Sequence, residues 1–177
     1  NYYVYDCISP MADVLTAKLG FTGEEISQIE LASKLHDVGK VVVPKSVLTK
    51  PLPLDEQEWI IMRRHPTFGA MIMKPSARLH ALIPFVEAHH ENFDGSGYPF
   101  GLVGSQIPVQ AQIIAVADAY ATMTEGRVYR PASTRLEALH EIARCSGKQF
   151  DPSVVIAMIE IAVFGEIDDS QCTWGES

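Results

Sequence analysis

With 177 residues, 47% of them hydrophobic and 20% charged, the chain has the composition of one globular domain with a genuine core, not of a disordered segment. A net charge of −8 argues against a partner that is polymeric nucleic acid, but it leaves room for a small anion held by a few local cations. Cys7, Cys145 and Cys172 are odd in number and lack CxxC spacing, so they read as free thiols in a reducing compartment. No apolar run approaches the roughly 20 residues that span a bilayer, and no signal peptide is visible. A cytoplasmic domain with no direct membrane insertion is therefore expected. The start at Asn1, without methionine, reads as a domain excised from a longer protein.

Periodicity is helical nearly throughout, and the expected fold is all-α. Ser9-Pro10 reads as an N-cap and first helical residue, opening a segment to Leu19 that stops at Gly20. Thr22 and Glu25 form a capping-box pattern ahead of Ile26, Ile29, Ala32 and Leu35, and this second helix delivers His36 and Asp37 at its end. Pro44, Pro51 and Pro53 predict irregular structure over 41–54. Helices follow over 55–63 and 66–74, with His65 at their junction, and then over 77–90. Residues 92–108, rich in glycine around DGSGYP, read as a long ordered loop of the kind that is often functional. Further helices are expected over 109–124, 134–145 and 152–164. Met71, Met73, Met123 and Met158 fall on apolar faces and read as core filler. No repeat and no convincing strand is visible.

Four of the six histidines sit in three polar groups: HDVGK at His36 to Lys40, His65 four residues before Gly69, and HHENFDGSGYP from His89 to Pro99. Histidine and aspartate gathered this way suggest nitrogen and oxygen ligands for a hydrolytic metal centre. In HDVGK an imidazole and a carboxylate can share an ion, and Asp37 can bridge two. The plainer reading is a helix C-terminus, where histidine and lysine suit the dipole and Gly39 allows a sharp turn. Adjacent His89 and His90 point about 100° apart on a helix and could share a metal only at a helix end; two solvent-facing histidines are the alternative. Asp118 lies in the apolar run IIAVADAYATM, where an unpaired carboxylate would be costly to bury and calls for a metal or cation. Gly95 and Gly97 read as positions needing positive φ in a tight loop, with Pro99 fixing its exit. His80 and His140 have no companions at useful spacing, and Tyr129 reads as a packing residue.

Taken together, HDVGK, KSVLTKP, His65 with Gly69, HHENFDGSGYP, Asp118, Arg127-Val128-Tyr129-Arg130 and the FDP of Phe150 to Pro152 closely resemble one family. It is the HD-GYP domains of the HD metal-dependent phosphohydrolase superfamily, and the resemblance covers about residues 8–164 of a single 1–177 domain. It implies a compact multi-helix bundle with a long ordered GYP loop that hydrolyses cyclic di-GMP to pGpG and often GMP. His36, Asp37, His65, His89, His90 and Asp118 are then the implied ligands of two divalent ions, iron or manganese, with Asp37 bridging. Two cations about 3.5–4 Å apart suit phosphodiester cleavage because they activate water and stabilise the displaced 3′-oxygen. Lys40 is implied at the scissile phosphate or leaving group, with Asp37 the other catalytic residue. Tyr98, Arg127 and Arg130 are implied at the substrate. An N-terminal receiver or sensor domain, or a GGDEF-type partner, is also plausible for such a domain.

The chain departs from the family pattern in three places. Active HD enzymes usually carry a first-helix histidine, and counting back puts Val4 there, with Ser9-Pro10 restarting the helix after Tyr5 and Asp6. The glutamate of trinuclear members would precede Asn1, so a two-ion site is expected, its open position completed by water. Ala121 stands where a second aspartate is frequent. The enzyme reading therefore has a rival, a catalytically weakened or inactive domain that senses cyclic di-GMP or docks a protein. Another phosphohydrolase acting on a different nucleotide is a further alternative.

Overall fold

The computed structural model describes residues 5–125 and 132–164. Within them lie nine α-helices and three 3-10 turns, with two isolated bridges, Asp94–Val103 and Ser146–Phe150, as the only extended pairing. The all-α expectation holds. In chain order the helices are α1 (Tyr5–Lys18), α2 (Gly23–Leu35), α3 (Lys45–Leu48), α4 (Glu56–Met62), α5 (His65–Met73), α6 (Ile83–Ala88), α7 (Val109–Glu125), α8 (Arg135–Arg144) and α9 (Pro152–Phe164). No helix among the described residues is long and apolar enough to cross a membrane.

Helix α7 is the axis of the core. It buries Ala111, Ile113, Ile114, Val116, Ala117, Tyr120 and Ala121, most of its circumference, because α1, α6, α8 and α9 pack around it. Ile8, Met11, Ala12 and Leu15 of α1 follow the i, i+3, i+4, i+7 pattern and are all buried. That stripe explains a correction to the sequence reading. Ser9-Pro10 does not open the helix, which already runs from Tyr5. Pro10 removes one ladder donor, in the second turn only, while the apolar face continues on either side of it. Val4 lies outside the described residues.

The helix expected over 77–90 is also interrupted. Residues Ala77–Leu82 form a 3-10 turn, and a new helix starts at Ile83 with Pro84 in its first turn. Proline disfavours the α conformation in the residue before it and suits the start of a helix, so Pro84 marks the break. Residues 41–54 are irregular apart from the end of the 3-10 turn Val38–Val42 and the single turn of α3. Met73 and Met158 are buried as expected, but Met71 is exposed.

Two glycines make the site's framework possible. A 3-10 turn, Val38–Val42, follows α2 and packs on α5. A Cβ on Gly39 would fall onto the His65 carbonyl oxygen and 2.5 Å from the Gly69 nitrogen. Close backbone approach is what Gly39 supplies; α2 has already ended at Leu35, and Gly39 lies inside the 3-10 turn that follows. In the long loop, Gly95 has φ +85° as expected. Gly97 does not need positive φ; its Cβ would collide with the backbone of Glu91 and Asn92.

The loop over 92–108 is ordered chiefly by Glu91, whose buried carboxylate accepts hydrogen bonds from Phe100 N (2.6 Å) and Leu102 N (3.0 Å). Tyr98 N donates to the His90 carbonyl, and Phe93 N and Asp94 N donate to Gln149 and Lys148 carbonyls. The Tyr98–Pro99 peptide is cis.

Gly39→Ala is expected to lower stability by about 2–3 kcal/mol, as an overpacked backbone contact does, measurable by denaturant titration. Glu91→Ala strands two amide donors in a buried setting. It should cost about 2–4 kcal/mol and speed amide exchange at Phe100 and Leu102, with α1 and α7 little affected.

Candidate metal centre

The ends of α2 and α6 and the start of α5 converge, and each brings a histidine at its terminus. His36 caps α2, His65 is the first residue of α5, and His89 caps α6. Each ring is aimed by the same local bond. His36 Nδ1 lies 2.6 Å from the Ser33 carbonyl, His65 Nδ1 2.8 Å from that of Met62, and His89 Nδ1 2.6 Å from that of Val86. A carbonyl only accepts, so Nδ1 carries the proton in the neutral ring and Nε2 carries a lone pair. All three rings are therefore presented with Nε2 outward from their own backbone, the other ring nitrogen being held by a hydrogen bond as is usual for metal-ligating imidazoles.

Their Nε2 atoms meet around Asp37. One atom each from Asp37, His65, His89 and His90 lies within 4.8 Å of the others. His65 Nε2 is 3.4 Å from His89 Nε2 and 3.2 Å from Asp37 Oδ1. On the other side of the carboxylate, His36 Nε2 is 3.4 Å from Asp37 Oδ2 and 3.9 Å from Asp118 Oδ1. The structure thus brings together all six residues picked from the sequence as ligands. Asp118 arrives differently from the expectation: its side chain is 26% exposed on α7, facing the cleft and not the apolar core.

Lone pairs facing one another at such distances repel unless a proton or a cation lies between them. Burial, then the neighbouring His90 and His36, push the His89 pKa well below its usual value. Burial, then His65, bring His90 down to about 3. Burial opposes ionisation of Asp37, but the His36 and His65 rings that face it and the charge of Lys40 hold its carboxyl far below the usual range. For His36 burial also disfavours the charge, and Asp37 and Asp118 outweigh it and raise the pKa. Two neutral imidazoles beside a firmly ionised carboxylate are the protonation states a divalent metal needs. The donor set fits a cation of the type that imidazole and carboxylate share.

Lys40 Nζ pairs directly with Asp37 Oδ2, so this cation stands at the edge of the cluster. Tyr98 stacks on His90, with ring centroids 4.9 Å apart and planes at 26°. Burial raises its phenol above the ordinary range, leaving it a neutral hydroxyl. Arg127 and Arg130, and Tyr129 with them, lie outside the described residues. Ala121 is buried at 2% exposure in the core, so it offers no chemistry to the cleft.

Two features went unread in the sequence. Glu91, next to His89 and His90, ties the GYP loop to the cluster; an acid just before a glycine-rich stretch of unpaired amides was the available signal. Arg63 lies over the Tyr98 ring, its guanidinium carbon 5.6 Å from the centroid, and over Trp59 at 5.7 Å. The i, i+4 spacing of Trp59 and Arg63 put them on one helix face in plain view.

Comparison with known proteins agrees with this geometry. The HD domain family matches residues 5–154. The cyclic di-GMP phosphodiesterase response regulator RpfG of Xanthomonas campestris pv. campestris is 41% identical over 154 residues, covering 86% of this chain and 41% of the relative. The 3′3′-cGAMP-specific phosphodiesterase 2 of Vibrio cholerae is 38% identical over 143 residues, covering 80% of this chain and 27% of the relative. The chain thus spans less than half the length of either. An HDG“Y”P protein from Bdellovibrio bacteriovorus has a similar fold, with a TM-score of 0.72 at 19% identity over 90% of this chain and 51% of that one. With the family match over most of its length, its helical fold and the HD and GYP strings flanking one histidine–aspartate cluster, the chain belongs to the HD domain family, in its HD-GYP form.

Proposed function

We propose that residues 1–177 are a single HD-GYP domain that hydrolyses cyclic di-GMP to linear pGpG, with GMP as the further product. The observation that carries this reading is the position of Asp37. Its two oxygens face different histidines, Oδ1 toward His65 and Oδ2 toward His36, as a carboxylate bridging two ions requires. Two ions, iron or manganese, suit the histidine-carboxylate donors and would supply Lewis acidity toward the phosphodiester.

The residues divide the remaining work. His36, Asp37 and Asp118 hold one half of the cluster and His65, His89 and His90 the other, with Asp37 common to both. Lys40, now paired with Asp37, has the flexible stem to swing toward an incoming phosphate and screen its charge. The neutral Tyr98 hydroxyl can donate to a phosphate or ribose oxygen. Arg127 and Arg130 are the remaining proposed substrate contacts, as cations for phosphate or guanine edges. Relatives named for cyclic di-GMP and for 3′3′-cGAMP both support a guanine-containing cyclic dinucleotide. The domain is proposed to act in the cytoplasm, under an N-terminal receiver or sensor domain or with a GGDEF-type partner; one relative is itself named a response regulator.

Ala121 favours a second reading. With that position buried in the core, α7 brings a single carboxylate, Asp118, to the cleft. A domain so depleted could bind the dinucleotide and signal without cutting it.

Metal content of protein purified without oxygen, measured beside cyclic di-GMP turnover on the same sample, separates the two. About two ions per chain with linear product are expected, and Asp37→Ala should lose metal and at least about 100-fold in kcat. One ion or none, with nucleotide bound but uncut after iron or manganese is supplied, would establish the sensor instead.

A further inference from the structure

Tyr98 is held by the protein itself, with the His90 imidazole stacked on its ring and the Arg63 guanidinium lying over it. Planar groups then continue outward. Arg63 also lies over Trp59, giving the series His90, Tyr98, Arg63, Trp59 from the metal cluster to the surface. Trp59 is 45% exposed, an unusual position for the largest apolar side chain on a seven-residue helix. Among the described residues no carboxylate pairs with Arg63, which is exposed, so its donor fork is committed to no acid. Arg63 lies two residues from His65, beside the cluster.

Resting on the phosphodiesterase reading, we propose that Trp59 and Arg63 form a guanine subsite at the outer end of this series. Trp59 offers its exposed face for stacking, which holds any base. Arg63 supplies the discrimination. A planar fork can donate two hydrogen bonds to guanine O6 and N7, whereas adenine presents a donor amine where guanine has O6. One base of the cyclic dinucleotide is thereby anchored away from the ions while its phosphate reaches the cluster. The subsite acts in binding, not in the bond-breaking step.

The test uses the metal-loaded full chain carrying Trp174→Phe, so that emission reports Trp59 alone. Cyclic di-GMP should quench that emission saturably, and cyclic di-AMP should need about ten-fold higher concentration. Arg63→Lys keeps the charge, loses the fork and should abolish the preference. Trp59→Leu should raise KM for cyclic di-GMP about ten-fold while kcat changes less than about three-fold. Binding that leaves Trp59 emission unchanged, or an Arg63→Lys variant that still prefers guanine, would overturn the subsite. A chain that binds with quenching and selectivity but does not cut overturns the phosphodiesterase reading alone. One that cuts with emission and selectivity unmoved overturns the subsite alone, and one that neither binds nor cuts overturns both.

Discussion

Everything at this site depends on three short hydrogen bonds from imidazole Nδ1 to a backbone carbonyl three residues earlier. Ser33, Met62 and Val86 are unremarkable in type, and their side chains take no part. Their carbonyls belong to the last turn of α2, to the end of α4 and to α6. A helix end leaves carbonyls without intrahelical partners, and here a histidine one turn on takes them up. Capping and ligand orientation are thus one bond. It fixes each ring's tautomer without any distant partner, so the cluster needs only that the helix ends be brought together.

Bringing them together is the task of backbone contact. Gly39 lies where any side chain would strike the His65 carbonyl, so the turn after α2 closes directly onto α5. Asp37 is carried in with it and ends up surrounded by imidazoles and Lys40. Such a carboxylate is stabilised as an anion despite its burial, while the crowding keeps protons off His89 and His90. Strong shifts on neighbouring groups are characteristic of functional sites. Within a chain of net charge −8, Lys40 pairs with Asp37 and Arg63 lies over Tyr98, so two cations stand beside the cluster.

Much of this was legible in the sequence, for identifiable reasons. Capping boxes at Thr22 and Thr134, apolar periodicity and the proline-rich 41–54 stretch gave most helix limits, because those signals are local. The residues of the cluster were legible because HDVGK and HHENFDGSGYP are dense in chemistry. The failures came where tertiary packing outvoted a local signal. Ser9-Pro10 looks like a helix start, yet the buried stripe from Ile8 to Leu15 carries α1 through it. Gly97 looks like a turn residue, yet its reason is a neighbour that local sequence does not reveal: the backbone of Glu91 and Asn92 pressed against it. Asp118 was read as buried because its sequence neighbours are apolar, whereas one side of α7 faces the cleft. Glu91, Trp59 and Arg63 escaped notice because their roles are made by contacts across the fold.

Glu91 follows directly on His89 and His90, and its carboxylate clamps the loop that carries Tyr98. With His89 and His90 as ligands, three consecutive residues would serve ion binding and loop order together. By linkage, whatever free energy an ion gained from these histidines would be shared with the clamp, and loss of the ion would loosen the loop. Metal scarcity would then be written into the chain's susceptibility to degradation: a demetallated molecule presents residues 92–108 as a site for proteolytic nicking, and the population that survives is the loaded one.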